Sequence, residues 1–175
     1  TKFFGLLMAK ELEAIDKVLK SGEKPITAFL GGSKVSSKIT IIENILPAID
    51  NLIIGGGMAF TFVRALGGDI GNSLVEVDKQ SLALEILEKA KAQNVAVYLP
   101  VYSLIADDFN NEAEIKEVDI YEIPDGWMGL DAGVRSRKIF HDVIMNSRTI
   151  LWNGPIGVFE MSNFAAGTVA LGDSI

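Results

Sequence analysis

The sequence predicts an α/β fold: a parallel β-sheet flanked by helices, in three layers. Short apolar runs alternate with segments whose apolar residues recur at helical spacing, several runs end in glycine-rich turns, and 49% of the 175 residues are hydrophobic. Strands that alternate with helices pair in parallel through right-handed crossovers. A chain of this length can bury one well-formed core.

Met8, Leu12, Ile15 and Leu19, with Lys10, Glu11, Glu13, Asp16 and Lys17 between them, predict an amphipathic helix over 5–20 that ends at Ser21-Gly22. Pro25 to Leu30 reads as a short strand. Beyond Gly31-Gly32, the residues Ile39, Ile42, Ile45, Leu46 and Ile49 mark a helix that Ser36 or Ser37 could cap and that Pro47 disturbs in its last turn. Leu52-Ile53-Ile54 is a buried strand running into Gly55-Gly56-Gly57, and Met58 to Leu66 is a short helix stopped by Gly67-Gly68. Asp78 opens a long helix with Leu82, Ala83, Ile86, Leu87 and Ala90 on its apolar face; Val95 to Val101 follows as a strand, interrupted near its end by Pro100. Residues 103–123 read as a short strand, a polar loop at Asn110-Asn111 and a second strand from Ile115 to Ile123. Pro124-Asp125-Gly126 and the segment Trp127 to Asp131 lead to a helix from about Arg135 to Ser147, which buries Ile139, Phe140, Val143 and Ile144. The strand Thr149 to Trp152 ends in Asn153-Gly154-Pro155-Ile156-Gly157, and Val158-Phe159-Glu160 leads into a final partial helix.

The turns that follow the strands of a parallel sheet emerge on one edge, where ligands bind. The junctions at Gly31-Gly32, Gly55 to Gly57 and Asn153 to Gly157 are therefore expected to line one crevice. Glycine lets a phosphate approach the backbone, unpaired N–H groups at a helix start point at it, and Lys34 and Lys38 add positive charge beside the first turn. The bland readings stand beside these: glycine pairs also make bare turns, lysines are commonly solvated, and Glu160, suited to a ribose hydroxyl pair, is also an ordinary helix-start acid.

Other chemistries are excluded more firmly. With 16 basic and 23 acidic residues the net charge is −7, without a basic stripe for nucleic acid. No cysteine and a single histidine leave no thiolate chemistry, zinc ligand set or nucleophilic triad. His141 sits away from the apolar positions of its helix and reads as a solvated surface residue. No Gly-Lys pair exists for a P-loop, and Met58-Ala59-Phe60 stands where the dinucleotide fingerprint needs a third small residue. No apolar run approaches the roughly 20 residues of a membrane span, and no signal-peptide pattern opens the chain, so a soluble cytoplasmic protein is expected. The missing initiator Met and the abrupt Thr1-Lys2-Phe3-Phe4 opening suggest a piece of something longer.

The segments FLGGSKVSSK, LIIGGGMAFTF, IGNSLVE, LPV, IPDGWMGLDAG and ILWNGPIGVFE together resemble the C-terminal, nucleotide-binding half of phosphoglycerate kinase. The resemblance implies a Rossmann-like domain over 21–175, truncated at its C-terminal end, and an interdomain hinge helix over 1–20. It further implies reversible phosphoryl transfer between 1,3-bisphosphoglycerate and ADP, with magnesium on the nucleotide. By position in the motifs, Lys34 would neutralise the transferring group and Lys38 would contact nucleotide phosphates, with Gly32 and Ser33 offering close backbone approach. Gly55, Gly56 and Gly57 would wall the adenine pocket, joined by Gly129, Leu130 and Val158. Asn153 would approach phosphate and sugar, Pro155 would shape its turn, and Glu160 would hold ribose hydroxyls.

Family members commonly have Ala at Ser33 and Asp at Ser37, and Asp at Tyr102, which leaves the local loop geometry open. The family's magnesium-binding aspartate lies in a Gly-Gly-Asp-Ser/Thr turn beyond the end of this chain. Gly172-Asp173-Ser174 imitates that turn but falls where the family has a helix, so Asp173 is given no metal role. The resemblance places phosphoglycerate binding on an N-terminal domain absent here, so these residues would bind nucleotide without completing the reaction, within a monomeric parent. A stand-alone nucleotide-binding module, or another sugar-phosphate enzyme on a similar sheet, are the alternatives.

Overall fold

A computed structural model describes Lys17 and residues 20–175. The helix expected over 5–20 lies outside the described residues, apart from Lys17 and Lys20, which are helical.

The central element is β1 (Ile26–Leu30), all five of whose residues are buried. It is flanked by β2 (Asn51–Ile54) and β9 (Thr149–Asn153), and β4 (Ala96–Tyr98) completes a parallel sheet of order β4-β2-β1-β9. Successive side chains on a strand point to opposite faces. Ala28 and Leu30 of β1, with Leu52 and Ile54 of β2, pack on α1 (Ile39–Ile45), α2 (Ala59–Ala65) and α3 (Gln80–Ala92). Phe29 and Ile53 face the other way, onto Phe140 and Ile144 of α4 (Val134–Met145) and Leu171 of α5 (Ala166–Ser174). The Phe29 and Phe140 rings meet edge to face, with centroids 6.1 Å apart. The three layers predicted from the alternation are thus present.

Several local expectations are corrected. Neither Ser36 nor Ser37 caps α1, which begins after Lys38 without a side-chain cap bond. The Ser37 hydroxyl donates to the Lys34 carbonyl instead, and Ser36 is engaged by a distant carboxylate. The long helix starts at Gln80 behind a short 3₁₀ turn over Val77–Lys79, and the strand after it stops at Tyr98, short of Pro100. The strand expected from Ile115 to Ile123 breaks into β6 (Ile115–Asp119) and β7 (Glu122–Ile123); β7 pairs in parallel with β3 (Asp69–Ile70).

Trp127 to Asp131, given no regular structure from sequence, contains most of β8 (Met128–Ala132). This strand, β5 (Tyr102–Ala106) and β6 form a separate antiparallel sheet of order β6-β5-β8. The loop geometry left open by Tyr102 is set by backbone. The Ser136 hydroxyl accepts the Val101 and Tyr102 amides at 2.9 and 2.8 Å, contacts that do not depend on the side chain at 102, while the Tyr102 ring lies under Arg135. Gly172-Asp173-Ser174 belongs to α5. His141 is exposed, with Nδ1 2.9 Å from the Ser174 hydroxyl.

The register pairs Leu30 with both Ile54 and Asn153, so β1, β2 and β9 end level with one another. Their turns interlock: the Gly31 amide donates to the Asn153 carbonyl at 2.9 Å, Gly32 to Pro155 at 3.1 Å, and Gly55 to Leu30 at 2.8 Å. A Cβ on Gly31 would lie 2.0 Å from the Pro155 carbonyl oxygen, which is backbone and cannot swing aside. Gly31→Ala is expected to cost at least about 1–3 kcal/mol, the scale of overpacking a tight site. Gly172→Ala, whose Cβ would meet only the Trp152 ring at 3.9 Å, is expected to stabilise by about 0.5–1 kcal/mol through helix propensity. Urea denaturation of the two variants reads the opposite signs.

Candidate functional site

The interlocked turns form one wall of a cavity of about 860 Å³, and the antiparallel sheet forms the facing wall. Gly32, Ser33, Gly56, Gly57, Pro155, Ile156, Gly157 and Val158 come from the three junctions, whereas Met128 to Ala132 come from β8. The walls are joined where the Val158 amide donates to the Leu130 carbonyl at 2.9 Å. Phe60 and Leu74 complete a mostly apolar interior. Such a pocket, with a few polar groups at its mouth, has the size and character of small-molecule sites.

The structure brings most of the sequence-predicted residues together here. Gly32, Ser33, Gly56, Gly57, Gly129, Leu130, Pro155, Val158 and Glu160 all line the cavity. Gly55 does not: it is buried behind the wall, where a Cβ would lie 2.6 Å from the Phe29 ring. Gly129 rests against the Phe60 ring, where a Cβ would come within 2.1 Å, so both walls are flat because their backbones are bare. Glu160 stands exposed on the rim.

Lys34, Lys38 and Asn153 lie beside the cavity, outside its lining. Lys38 is half-buried; its Cε lies 3.9 Å from where a Cβ on Gly32 would be, and its Nζ donates to Asn153 Oδ1. Its hydrogen-bond partner is thus a neutral amide, and among the described residues it makes no ion pair. Lys34 is exposed and makes no ion pair among the described residues. The crevice is therefore an apolar slot with the Lys38 side chain beside its first turn, an arrangement suited to an apolar ring system bearing an anionic tail.

Asp131 is the residue that motif reasoning quoted without a role. It lines the cavity at 4% exposure, and its carboxylate accepts the Ala132 and Gly167 amides, each at 2.8 Å. A Cβ on Gly157 or Gly167 would fall within 2.3 Å of Oδ1, so the carboxylate is gripped between the third junction and the start of α5. The Thr168 hydroxyl adds to this grip by accepting the Ile156 amide at 3.1 Å. The signal available in the sequence was a lone acid in an apolar segment, Gly129-Leu130-Asp131-Ala132.

The phosphoglycerate kinase family model matches residues 1–175. A curated phosphoglycerate kinase of Porphyromonas gingivalis is 52% identical over 174 residues, which cover 99% of this chain and 42% of that protein. The solved phosphoglycerate kinase of Coxiella burnetii superposes with a TM-score of 0.90 at 39% identity, over 97% of this chain and 44% of that one. That of Pyrococcus horikoshii gives 0.78 at 30% identity, over 98% and 44%. The chain thus spans less than half the length of these relatives. Among the described residues, no helix is long and apolar enough to cross a membrane.

Burial pushes the Asp131 carboxyl up to about 6 from 3.8, against the pull of the Gly167 and Ala132 amides and of Arg137. Its proton is therefore held more tightly in the folded state, and stability is expected to fall as pH rises from about 4 to about 6. The shift is worth about 3 kcal/mol. Asp50, which the Ile26 amide holds below the usual carboxylate range, acts in the opposite sense, below about pH 4. Urea midpoints between pH 4.5 and 7 should decline for the natural chain and flatten for Asp131→Asn; equal slopes would contradict this account.

Proposed function

The chain belongs to the phosphoglycerate kinase family, and on that footing we propose that it is the nucleotide-binding part of an enzyme that moves a phosphoryl group reversibly between 1,3-bisphosphoglycerate and ADP. The products are 3-phosphoglycerate and ATP. The observation that carries this reading is the union of an apolar cavity of nucleoside size with a half-buried ammonium whose partner, Asn153, is neutral.

The adenine lies in the slot between Gly56-Gly57 and Gly129, with Leu130 and Val158 closing its edges and Gly55 supporting the wall from behind. Flat glycine backbones on both sides admit a planar ring, and the apolar surround supplies a hydrophobic gain of about 25 cal/mol per Å² buried. Glu160, on the rim, accepts hydrogen bonds from the ribose hydroxyls. Pro155 fixes the third turn, and Asn153, with Oδ1 turned to Lys38, keeps its amide donors for phosphate or sugar. Lys38 neutralises nucleotide phosphates where Gly32 and Ser33 permit close approach, and Lys34 stabilises the group in transit.

Phosphoryl transfer asks mainly for positioning and charge stabilisation, and ammonium groups at a fixed turn supply both. Magnesium is the metal this reaction implies, yet among the described residues no group of three carboxylate or imidazole side chains converges to hold an ion. Magnesium would be carried on the nucleotide phosphates, and no step is assigned through it. The phosphoglycerate, a hinge helix over 1–20 and domain closure belong to the same reading of the intact, monomeric parent. Glycolysis, and with it the cytoplasm, is the setting the reaction implies.

Calorimetric titration tests this. ADP with magnesium is expected to bind, and Lys38→Ala to weaken binding by about 1–3 kcal/mol, the scale of a charged hydrogen bond. In the intact protein Lys34→Ala is expected to lower kcat by about 10²–10³, the scale of a lost transition-state donor, while moving the nucleotide KM little. Binding without turnover by the intact protein would favour a stand-alone nucleotide module, and absence of binding would sink the kinase reading.

A further inference from the structure

Residues 72–76 cross from one side of the cavity to the other and are tied at both ends. The Asn72 amide donates to the Trp127 carbonyl at 2.7 Å, and the buried Ser73 hydroxyl accepts the Gly129 amide at 2.9 Å, which anchors the segment to β8. In the middle, Leu74 lies against Gly57 and lines the cavity. At the far end the Glu76 amide donates to the buried Thr61 hydroxyl at 3.1 Å. Its carboxylate accepts both the Ser36 amide, at 3.0 Å, and the Ser36 hydroxyl.

Ser36 stands midway between Lys34 and Lys38, in a turn whose following helix has no side-chain cap of its own. A carboxylate seated on a turn that carries two lysines has a candidate ion-pair partner on either side. Glu76 makes no ion pair with either, both of its oxygens being directed at Ser36. Burial pushes this carboxyl up, but hydrogen bonds from the Ser36 hydroxyl and the Ser36 and Val35 amides outweigh it and hold it below its ordinary value. The contact therefore persists in its charged form at neutral pH.

We propose that Glu76 is a positioning residue for phosphate binding: it holds the Lys34–Lys38 turn in place through Ser36 without pairing with either ammonium group. This rests on the nucleotide reading above. Glu76 touches no ligand in this scheme; it acts through Ser36. The role predicts an asymmetry that a merely structural tether would not give, because only the anionic part of a nucleotide depends on the turn.

The test is calorimetric titration of ADP and, separately, of adenosine into the intact protein, Glu76→Gln, Ser36→Ala and the double variant. Each single change is expected to weaken ADP roughly tenfold, within the range over which contacting residues couple, with adenosine moved less than about twofold. The double variant should be no weaker than the weaker single one, since both changes cut the same contact. Ser36→Ala alters an exposed residue and decides the matter should Glu76→Gln fail to fold. Adenosine falling in step with ADP, or ADP unmoved in Ser36→Ala, overturns the proposal. A natural protein that takes neither ligand overturns the nucleotide reading and this inference with it.

Discussion

At the edge of the parallel sheet, a carbonyl oxygen of one turn occupies the space that a side chain would fill in another. The Pro155 oxygen sits where Gly31 would carry its Cβ, Gly32 backbone atoms crowd Gly56, and the Gly31 carbonyl crowds Gly154. This mutual exclusion of side chains is the constraint on which the site depends. It lets three strand ends close on each other through backbone bonds alone, from Gly31 to Asn153 and from Gly32 to Pro155. Because the strands end in register, the turns cannot splay without breaking ladder bonds behind them. One wall of the cavity is consequently rigid, narrow and flat.

The opposite wall has a different origin. β8 belongs to the antiparallel sheet and reaches the third junction through the Leu130 carbonyl and α5 through the Asp131 carboxylate. The first is an ordinary backbone contact. The second places a carboxylate in a nearly dry setting, satisfied by two amides, which is costly unless the geometry persists. Asp131 thus ties β8, the third junction and α5 into one unit whose opening would expose or orphan a buried acid.

Much of this was legible in the sequence because it was written in periodicity. Ile42, Ile45, Ile86, Phe140 and Ile144 fall at helical spacing, and Leu52-Ile53-Ile54 is apolar on both faces, as a strand between two helical layers requires. The glycine junctions, too, followed from strand ends emerging on one edge. What escaped was set by long-range contact. β8, written Met-Gly-Leu-Asp-Ala, contains no β-branched residue and two types disfavoured in strands, so only its pairing with β5 makes it one. Ser36 and Ser37 carried a local capping signal that tertiary contact overrode, since Glu76, far along the chain, offers Ser36 a charged acceptor. The position of Gly55 behind the cavity wall depends on Phe29, which no local pattern reveals.

By its total charge of −7 the chain is a poor host for a polyanion, but the conflict resolves on length scale. At physiological salt, charges interact over about 8 Å, so the field at a phosphate is set by its neighbours and not by the total. Two acids near the crevice direct their oxygens at hydrogen-bond donors and form no ion pair with Lys34 or Lys38. Glu76 turns both oxygens to Ser36, and Asp131 is enclosed by the Ala132 and Gly167 amides. Asn153 gives Lys38 a hydrogen-bond acceptor without a counter-charge. The turn is therefore held by polar contacts, and among the described residues no ion pair engages its lysines, which is the condition that the proposed anion site requires: attraction strong enough to seat a phosphate, with no internal ion pair to be broken first.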